Sequence, residues 1–165
     1  MSGTIVEISS DRAAEVATIL LAASAWSKLN SSFVWHAQDI SVELLTAHSE
    51  KGELFGWIEN CEILGCMLLV HEDKVHWPDD RPGEALYLHK LAVKRSHAGI
   101  GIGEALVAFA CRAAKSRGIN LLRLDTVPET RLPAYYERQG FVADPQGPAD
   151  YAGRWLIRMQ KRIEQ

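Results

Sequence analysis

KRSHAGIGIGEALVAF, residues 94–109, follows the β-rich run ALYLHKLAV (85–93) and reads as a glycine-rich turn that opens an apolar helix. Gly99, Gly101 and Gly103 alternate, so three amide groups can approach a ligand without Cβ hindrance. The helix that follows aims its positive N-terminus at the same place, which makes the turn an anion site in principle. Two nucleotide motifs fail on spacing. A G-x-G-x-x-G fingerprint needs its third glycine where Glu104 or Leu106 stands, and the Gly-Lys-Ser/Thr of a phosphate loop is absent. Taken alone, the stretch reads equally well as a tight strand-to-helix connection with no ligand.

Its neighbours give it a frame. The helix runs from about Ile102 to Arg117, stops at Gly118, and leads into the strand NLLRLDT (120–126). Strand, four-turn helix and strand form a β-α-β crossover, which obliges parallel pairing. Upstream, TIVEI (4–8) is a strand, and SSDRAAEVATILLAASAW is a helix opened by Ser10 or Asp11. DISVELLTAHSEKG is a second helix, capped by Asp39 or Ser41 and stopped at Gly52. ELFGWIE and EILGCMLLVHE form a hairpin across Asn60 and Cys61. DKVHWPDDRPGE (73–84), with its prolines, predicts an exposed loop; ETRLPAYYERQG predicts a short helix and GRWLIRMQKRI a last strand. The expected fold class is α/β, or α+β-like: a mixed, mostly antiparallel sheet of six to seven strands with a central parallel pair, and helices on both faces.

Length and composition set limits. A chain of 165 residues fits one domain, residues 1–165, that buries a core unaided. A net charge of −3 argues against a nucleic-acid partner. The start lacks a cationic segment followed by a long apolar one, and no apolar run approaches bilayer length, so a cytoplasmic protein without a membrane partner is expected. Cys61, Cys66 and Cys111 have no metal-ligand cadence. They read as reduced core thiols, and no metal is expected.

Two motifs decide between the readings of the turn. LAV (91–93), the basic KRSH (94–97) and AGIGIG (98–103) come first, and LPAYYERQGF (132–141) follows at the next short helix. In order and spacing they resemble the signatures of the GNAT superfamily of acyl-CoA-dependent N-acyltransferases. The resemblance implies a single GNAT-type domain whose central parallel pair splays to admit acetyl-CoA. It implies that the backbone of Leu91, Ala92 and Val93 binds the pantetheine arm, and that Ala98, Gly99, Ile100, Gly101, Ile102, Gly103 and Glu104 surround the pyrophosphate. It implies transfer of an acetyl group to a primary amine of a small molecule or peptide in a ternary complex, with Tyr136 donating a proton to the departing sulfur. A homodimer is carried as a further expectation. Two positions depart from the pattern. Ala98 stands where the family prefers Arg or Gln, leaving Lys94, Arg95 or His97 to supply positive charge, and Glu129 stands where many members carry a cofactor-binding Asn. Those departures keep an alternative in view, a catalytically degenerate acyl-CoA-binding regulatory domain.

The base is harder to read. Alternation along ALYLHKLAV puts Tyr87, His89, Leu91 and Val93 on one face and Leu88, Lys90 and Ala92 on the other. Histidine is the side chain suited to proton transfer at neutral pH, so His89 can accept the amine's proton directly or through water, but a histidine satisfied by its neighbours reads as well. Glu84 is the nearest carboxylate at the strand's start, and Lys90 reads as a structural ion-pair partner. Trp26, Phe33, Trp35 and His36 are candidates for the acceptor wall, and read equally well as core of the connection between the first two helices. Asp79 and Asp80 either attract an amine or are simply solvated.

Overall fold

Residues 2–30 and 35–164 are described by the computed structural model; Phe33 lies outside them. The described chain gathers into two compact units, one built from residues up to Leu69 with Lys90–Phe109, the other from Val70–His89 with Ala110 onward.

In the first unit, β1 (Thr4–Glu7) pairs antiparallel with β2 (Leu54–Glu59), Ile5 opposite Trp57, and β2 pairs antiparallel with β3 (Glu62–Val70). Asn60 and Cys61 join β2 to β3 with φ of 50° and 66°. Two left-handed residues in a row are what a tight hairpin turn requires, because its twist matches that of the strands. The same turn leaves Cys61 exposed, so only Cys66 is the fully buried thiol that the sequence led us to expect of all three. Helix α1 (Ala13–Leu29) is entered through a 3-10 turn at Ser10–Arg12. Ser10 and Asp11 therefore lie within that turn rather than capping the helix, and neither flanking position makes a side-chain cap bond. Helix α2 (Val42–Glu50) begins as expected, with the Ser41 hydroxyl accepting from the Leu44 N–H at 3.0 Å. Ala13, Val16, Ile19 and Leu20 of α1 and Leu45 of α2 are buried.

Strand β4 (Leu86–Val93) passes from the second unit to the first, and helix α3 (Ile102–Ser116) passes back. Within the first unit Gly65 of β3 seats the start of α3. A Cβ there would stand 2.8 Å from Ile102 Cγ2 and 3.2 Å from the Ala92 carbonyl oxygen, so only glycine lets the strand and the helix entry approach this closely.

In the second unit, β4 runs parallel to β5 (Leu121–Thr126), with Leu86 opposite Leu122 and Tyr87 opposite Arg123. Strand β5 pairs antiparallel with β8 (Arg154–Arg162) along six residue pairs, Leu121 with Arg162 through Thr126 with Ile157. Two short strands, β6 (Val142–Ala143) and β7 (Ala149–Tyr151), also pair with β8. They add to the strands legible in the sequence, being too short to carry a period. The sheet order is β1-β2-β3-β4-β5-β8-β6, and the fold is the mixed, mostly antiparallel one with one parallel pair.

The proline loop departs from its expected exposure. Asp73 and Trp77 are buried, and the Arg123 and Arg158 guanidiniums stand over the Trp77 ring at 4.4 and 4.6 Å. Asp80 is no solvated charge either: its carboxylate accepts from the Tyr87 hydroxyl at 2.5 Å and pairs with Arg123. The loop packs inward because its tryptophan and its carboxylate each find a buried guanidinium. Asp79 is exposed, as expected of a loop charge.

Candidate functional site

Lys90 decides how the second half of β4 is presented. Its φ is 54°, left-handed rather than extended, so the strict alternation of faces assumed from ALYLHKLAV ends there. A residue outside the β region breaks the pleat that alternation depends on. Its ammonium lies 5.3 Å from the Trp35 ring centroid, a cation–π contact.

Beyond Val93 the chain makes a 3-10 turn at Arg95–His97, passes Ala98 in an extended conformation, and enters the glycine turn. Gly99 and Gly101 have φ of 79° and 92°. Among the described residues, its two chain neighbours apart, no heavy atom lies within 4 Å of a Cβ built on Gly99, so glycine is needed there for its backbone conformation and not for space. Gly103 lies inside α3 and is buried. The helical ladder begins with the Ala105 N–H donating to the Gly101 carbonyl at 3.0 Å. The N–H groups of Ile102, Gly103 and Glu104 precede that ladder at the positive end of the helix dipole, an arrangement suited to an anion. The cations nearby are partly committed. Lys94 reaches Glu62 at 2.5 Å, Arg95 stacks on the Trp26 ring at 3.7 Å, and the His97 ring is 2.8 Å from the Ser96 hydroxyl. Trp26 thus carries Arg95, which the expectation of an acceptor wall had not foreseen.

A second constellation lies in the other unit. His89 on β4 and Asp125 on β5 stand two residues beyond the last paired positions, Tyr87 and Arg123. Asp73 and His76, from the proline loop, join them. His89 Nε2 is 3.1 Å from Asp73 Oδ2 and its Nδ1 is 3.5 Å from Asp125 Oδ1. His76 Nδ1 is 2.9 Å from Asp73 Oδ2 and 3.6 Å from Asp125 Oδ1. The His76 backbone N–H also donates to Asp73 Oδ1 at 3.1 Å. Burial alone would push the Asp73 carboxyl up, but hydrogen bonds from His76 and His89 outweigh it and hold the group well below its usual value. For His76 burial pulls down, and the two aspartates more than offset it, raising its value. His89 was the one member legible in the sequence. Asp73, His76 and Asp125 were missed, although D-x-x-H in the loop and an aspartate near the end of an apolar strand are both visible signals. Glu84, the other base considered, lies 3.4 Å from the Arg123 guanidinium and 3.9 Å from Arg81.

Tyr136 occupies helix α4 (Leu132–Glu137) of the same unit and is 8% exposed. Its ring packs edge-on against Phe141 at 5.6 Å and Tyr135 at 5.2 Å. Burial first, then Tyr135 and Asp125, raise its phenol above the ordinary value, so it stays protonated at neutral pH. Glu129 lies exposed in the turn before α4.

The acetyltransferase (GNAT) family model matches residues 21–141. An uncharacterized N-acetyltransferase of Bacillus subtilis (strain 168), YesJ, is 29% identical over 138 residues, 78% of this chain and 76% of the relative. Among solved structures, a GNAT-family acetyltransferase of Listeria monocytogenes superposes with a TM-score of 0.77 at 20% identity, covering 98% of this chain and 95% of that one. The PaiA N-acetyltransferase of Thermoplasma acidophilum, in complex with coenzyme A, gives 0.76 at 18%, covering 98% and 99%. YncA of Salmonella typhimurium, a putative acetyltransferase with its cofactor acetyl-CoA, gives 0.75 at 16%, covering 100% and 96%. The left-handed glycine turn and the Tyr136 helix both fall inside the matched residues, and on that match the chain belongs to the acetyltransferase (GNAT) family.

Proposed function

We propose that the chain, as one N-acetyltransferase domain, moves an acetyl group from acetyl-CoA to a primary amine of a small molecule or peptide. The observation that carries the reading is the glycine turn, with Gly99 and Gly101 left-handed and the first amides of α3 ahead of the helical ladder. In this reading those amides bind the cofactor's pyrophosphate, and the backbone of Leu91, Ala92 and Val93 binds its pantetheine arm. That like-folded proteins hold coenzyme A or acetyl-CoA supports the choice of anion.

The chemistry asks for two proton transfers. The amine attacks the thioester carbonyl, a C–N bond forms, the C–S bond breaks, and the ammonium proton must leave while the thiolate gains one. His89, directly or through a water chain, takes the first proton, with Asp73 and Asp125 orienting its ring and stabilising the imidazolium. Tyr136, buried and protonated, gives the second to sulfur. A second reading, a CoA-binding regulatory domain without turnover, is favoured by Ala98, which brings no side-chain donor, and by Glu129, whose carboxylate cannot donate as an amide would.

A melting-temperature shift with acetyl-CoA and with CoA tests both, since a ligand that binds only the folded state stabilises it. The absence of a shift overturns both readings. Given a shift, release of CoA thiol against a panel of polyamines, amino acids, aminoglycosides and peptide N-termini separates them: turnover supports the enzyme, and its absence with every amine supports the regulatory domain.

A further inference from the structure

We propose that Asp73, His76, His89 and Asp125 form a binding site for a divalent first-row transition cation of the zinc class. The inference rests on the geometry of that cluster and stands whether or not the acyl-transfer reading survives.

Four side chains, each offering one ligand atom, bring those atoms within 4.8 Å of one another. They come from three places, the proline loop, β4 and β5, so their meeting is a product of the tertiary fold and not of one turn. A tetrahedral centre with bonds of about 2.0–2.2 Å sets its ligand atoms about 3.4 Å apart. His76 Nδ1 stands 2.9 Å from Asp73 Oδ2 and 3.6 Å from Asp125 Oδ1. His89 offers one ring nitrogen, either Nε2 at 3.1 Å from Asp73 Oδ2 or Nδ1 at 3.5 Å from Asp125 Oδ1, so neighbouring separations lie near that value while the set as a whole falls within 4.8 Å. The cluster is shielded, with side-chain exposures of 6% for Asp73, 12% for Asp125, 16% for His76 and 22% for His89.

A second observation points to an absent partner. Asp125 Oδ1 is buried without a hydrogen bond, although it faces both His76 Nδ1 and His89 Nδ1. A neutral imidazole carries one N–H and one lone pair, so two neutral rings cannot serve both carboxylates fully. A cation among the four would satisfy Asp125 Oδ1 and would take the lone pairs of the imidazoles. The Asp73 carboxylate is also held by the His76 backbone N–H at 3.1 Å, the kind of support that orients a metal ligand. Arg154 opposes a cation at His76, but its single charge is outnumbered by the two carboxylates.

The donor set selects the ion. Two imidazoles with two carboxylates suit zinc and its neighbours, whereas magnesium and calcium prefer all-oxygen sites. With the cation bound, His89 ligates through one ring nitrogen and no longer accepts a proton, so loading and the base role assigned above exclude each other.

The test uses the full chain in a Cys61→Ser background, because the exposed Cys61 thiol would bind zinc adventitiously. After chelator treatment, calorimetric titration with zinc chloride should show one saturable equivalent with a dissociation constant of about micromolar or tighter, and magnesium chloride should show none. Cobalt(II) chloride should give the visible ligand-field bands of a four-coordinate nitrogen and oxygen centre, a readout that needs no variant at the cluster. His76→Gln and Asp125→Asn should each weaken zinc binding at least about tenfold, with circular dichroism checking that they fold. No saturable zinc binding, cobalt bands of an octahedral aquo-type centre, or affinity unchanged in both folded variants would overturn the site; in those cases the cluster is a proton-sharing network only.

Discussion

Replacing Gly99 by alanine isolates what the glycine turn contributes. Its φ is 79°, and among the described residues, chain neighbours apart, nothing lies within 4 Å of the added methyl, so the substitution brings no clash with them. Its cost is the left-handed conformation itself, about 1–2 kcal/mol for an L-residue. The folded chain can meet that cost in two ways. It keeps the conformation and loses roughly 1–2 kcal/mol of stability, about 2–8 °C in melting temperature for a chain of this size. Or it relaxes to negative φ, keeps its stability, and must restore the turn on binding CoA, which raises the dissociation constant by about 5–30-fold. Either way the combined deficit in the CoA complex is the same. Gly118→Ala is the control, for Gly118 stops the same helix with φ of 67° and equally open space. Differential scanning fluorimetry with and without CoA, and calorimetric titration with CoA, read both quantities. Gly118→Ala should lose stability with CoA affinity intact. If Gly99→Ala binds CoA as tightly as Gly118→Ala does and melts no lower than the wild type, the left-handed turn does not hold the cofactor and the argument fails.

Tyr136→Phe keeps the ring packing against Phe141 and removes only the hydroxyl, so turnover should fall by about 10²-fold or more while the CoA-induced melting shift persists. An unchanged kcat would remove Tyr136 from the acid role. Arg123→Met should cost about 3–5 kcal/mol, read by urea unfolding, because it leaves the Asp80 carboxylate without its buried partner; a loss below 1 kcal/mol would show Asp80 to be solvated after all. Burial pushes the Asp144 carboxyl up, but the Gln146 N–H and the Arg158 guanidinium prevail and hold it below its usual value. That contribution is present above the unfolded carboxylate value of about 3.9 and is lost as pH falls through the lower folded value. Asp144→Asn should therefore melt lower than the wild type at pH 7, and the gap should close on acidification; a gap independent of pH would contradict the pairing. Finally, burial raises the Cys66 thiol to about 12, while Cys61 is exposed. A disulfide reagent should label Cys61 rapidly in the native protein and Cys66 only after unfolding, read by peptide mapping because the half-buried Cys111 is a third thiol, with rapid native labelling of Cys66 as the contrary outcome.

Much of the fold was legible because it rests on short-range rules. Ser41 caps α2, Asn60 and Cys61 turn the first hairpin, and Gly118 ends α3, each through backbone conformation or a bond to a near neighbour in the chain. The crossover from β4 through α3 to β5 follows from connection length alone. The misreadings share a different cause. Asp80 and Trp77 were assigned to a solvated loop because their partners, Arg123 and Arg158, lie more than forty residues away in sequence. Faces were assigned along β4 by strict alternation, and the left-handed Lys90 ends it. No local signal in a lysine between His89 and Leu91 announces that bend.

The candidate site divides along the same line. By itself the sequence determined the glycine turn, its position at the mouth of a helix, and the tyrosine that precedes ERQGF, since each is a contiguous pattern whose geometry the backbone dictates. Only the tertiary structure decided the company of His89. Asp73, His76 and Asp125 are brought to it by the inward fold of a proline loop and the parallel approach of two strands. Charged groups so far apart along the chain meet because burying one ionisable side chain is costly until another reaches it.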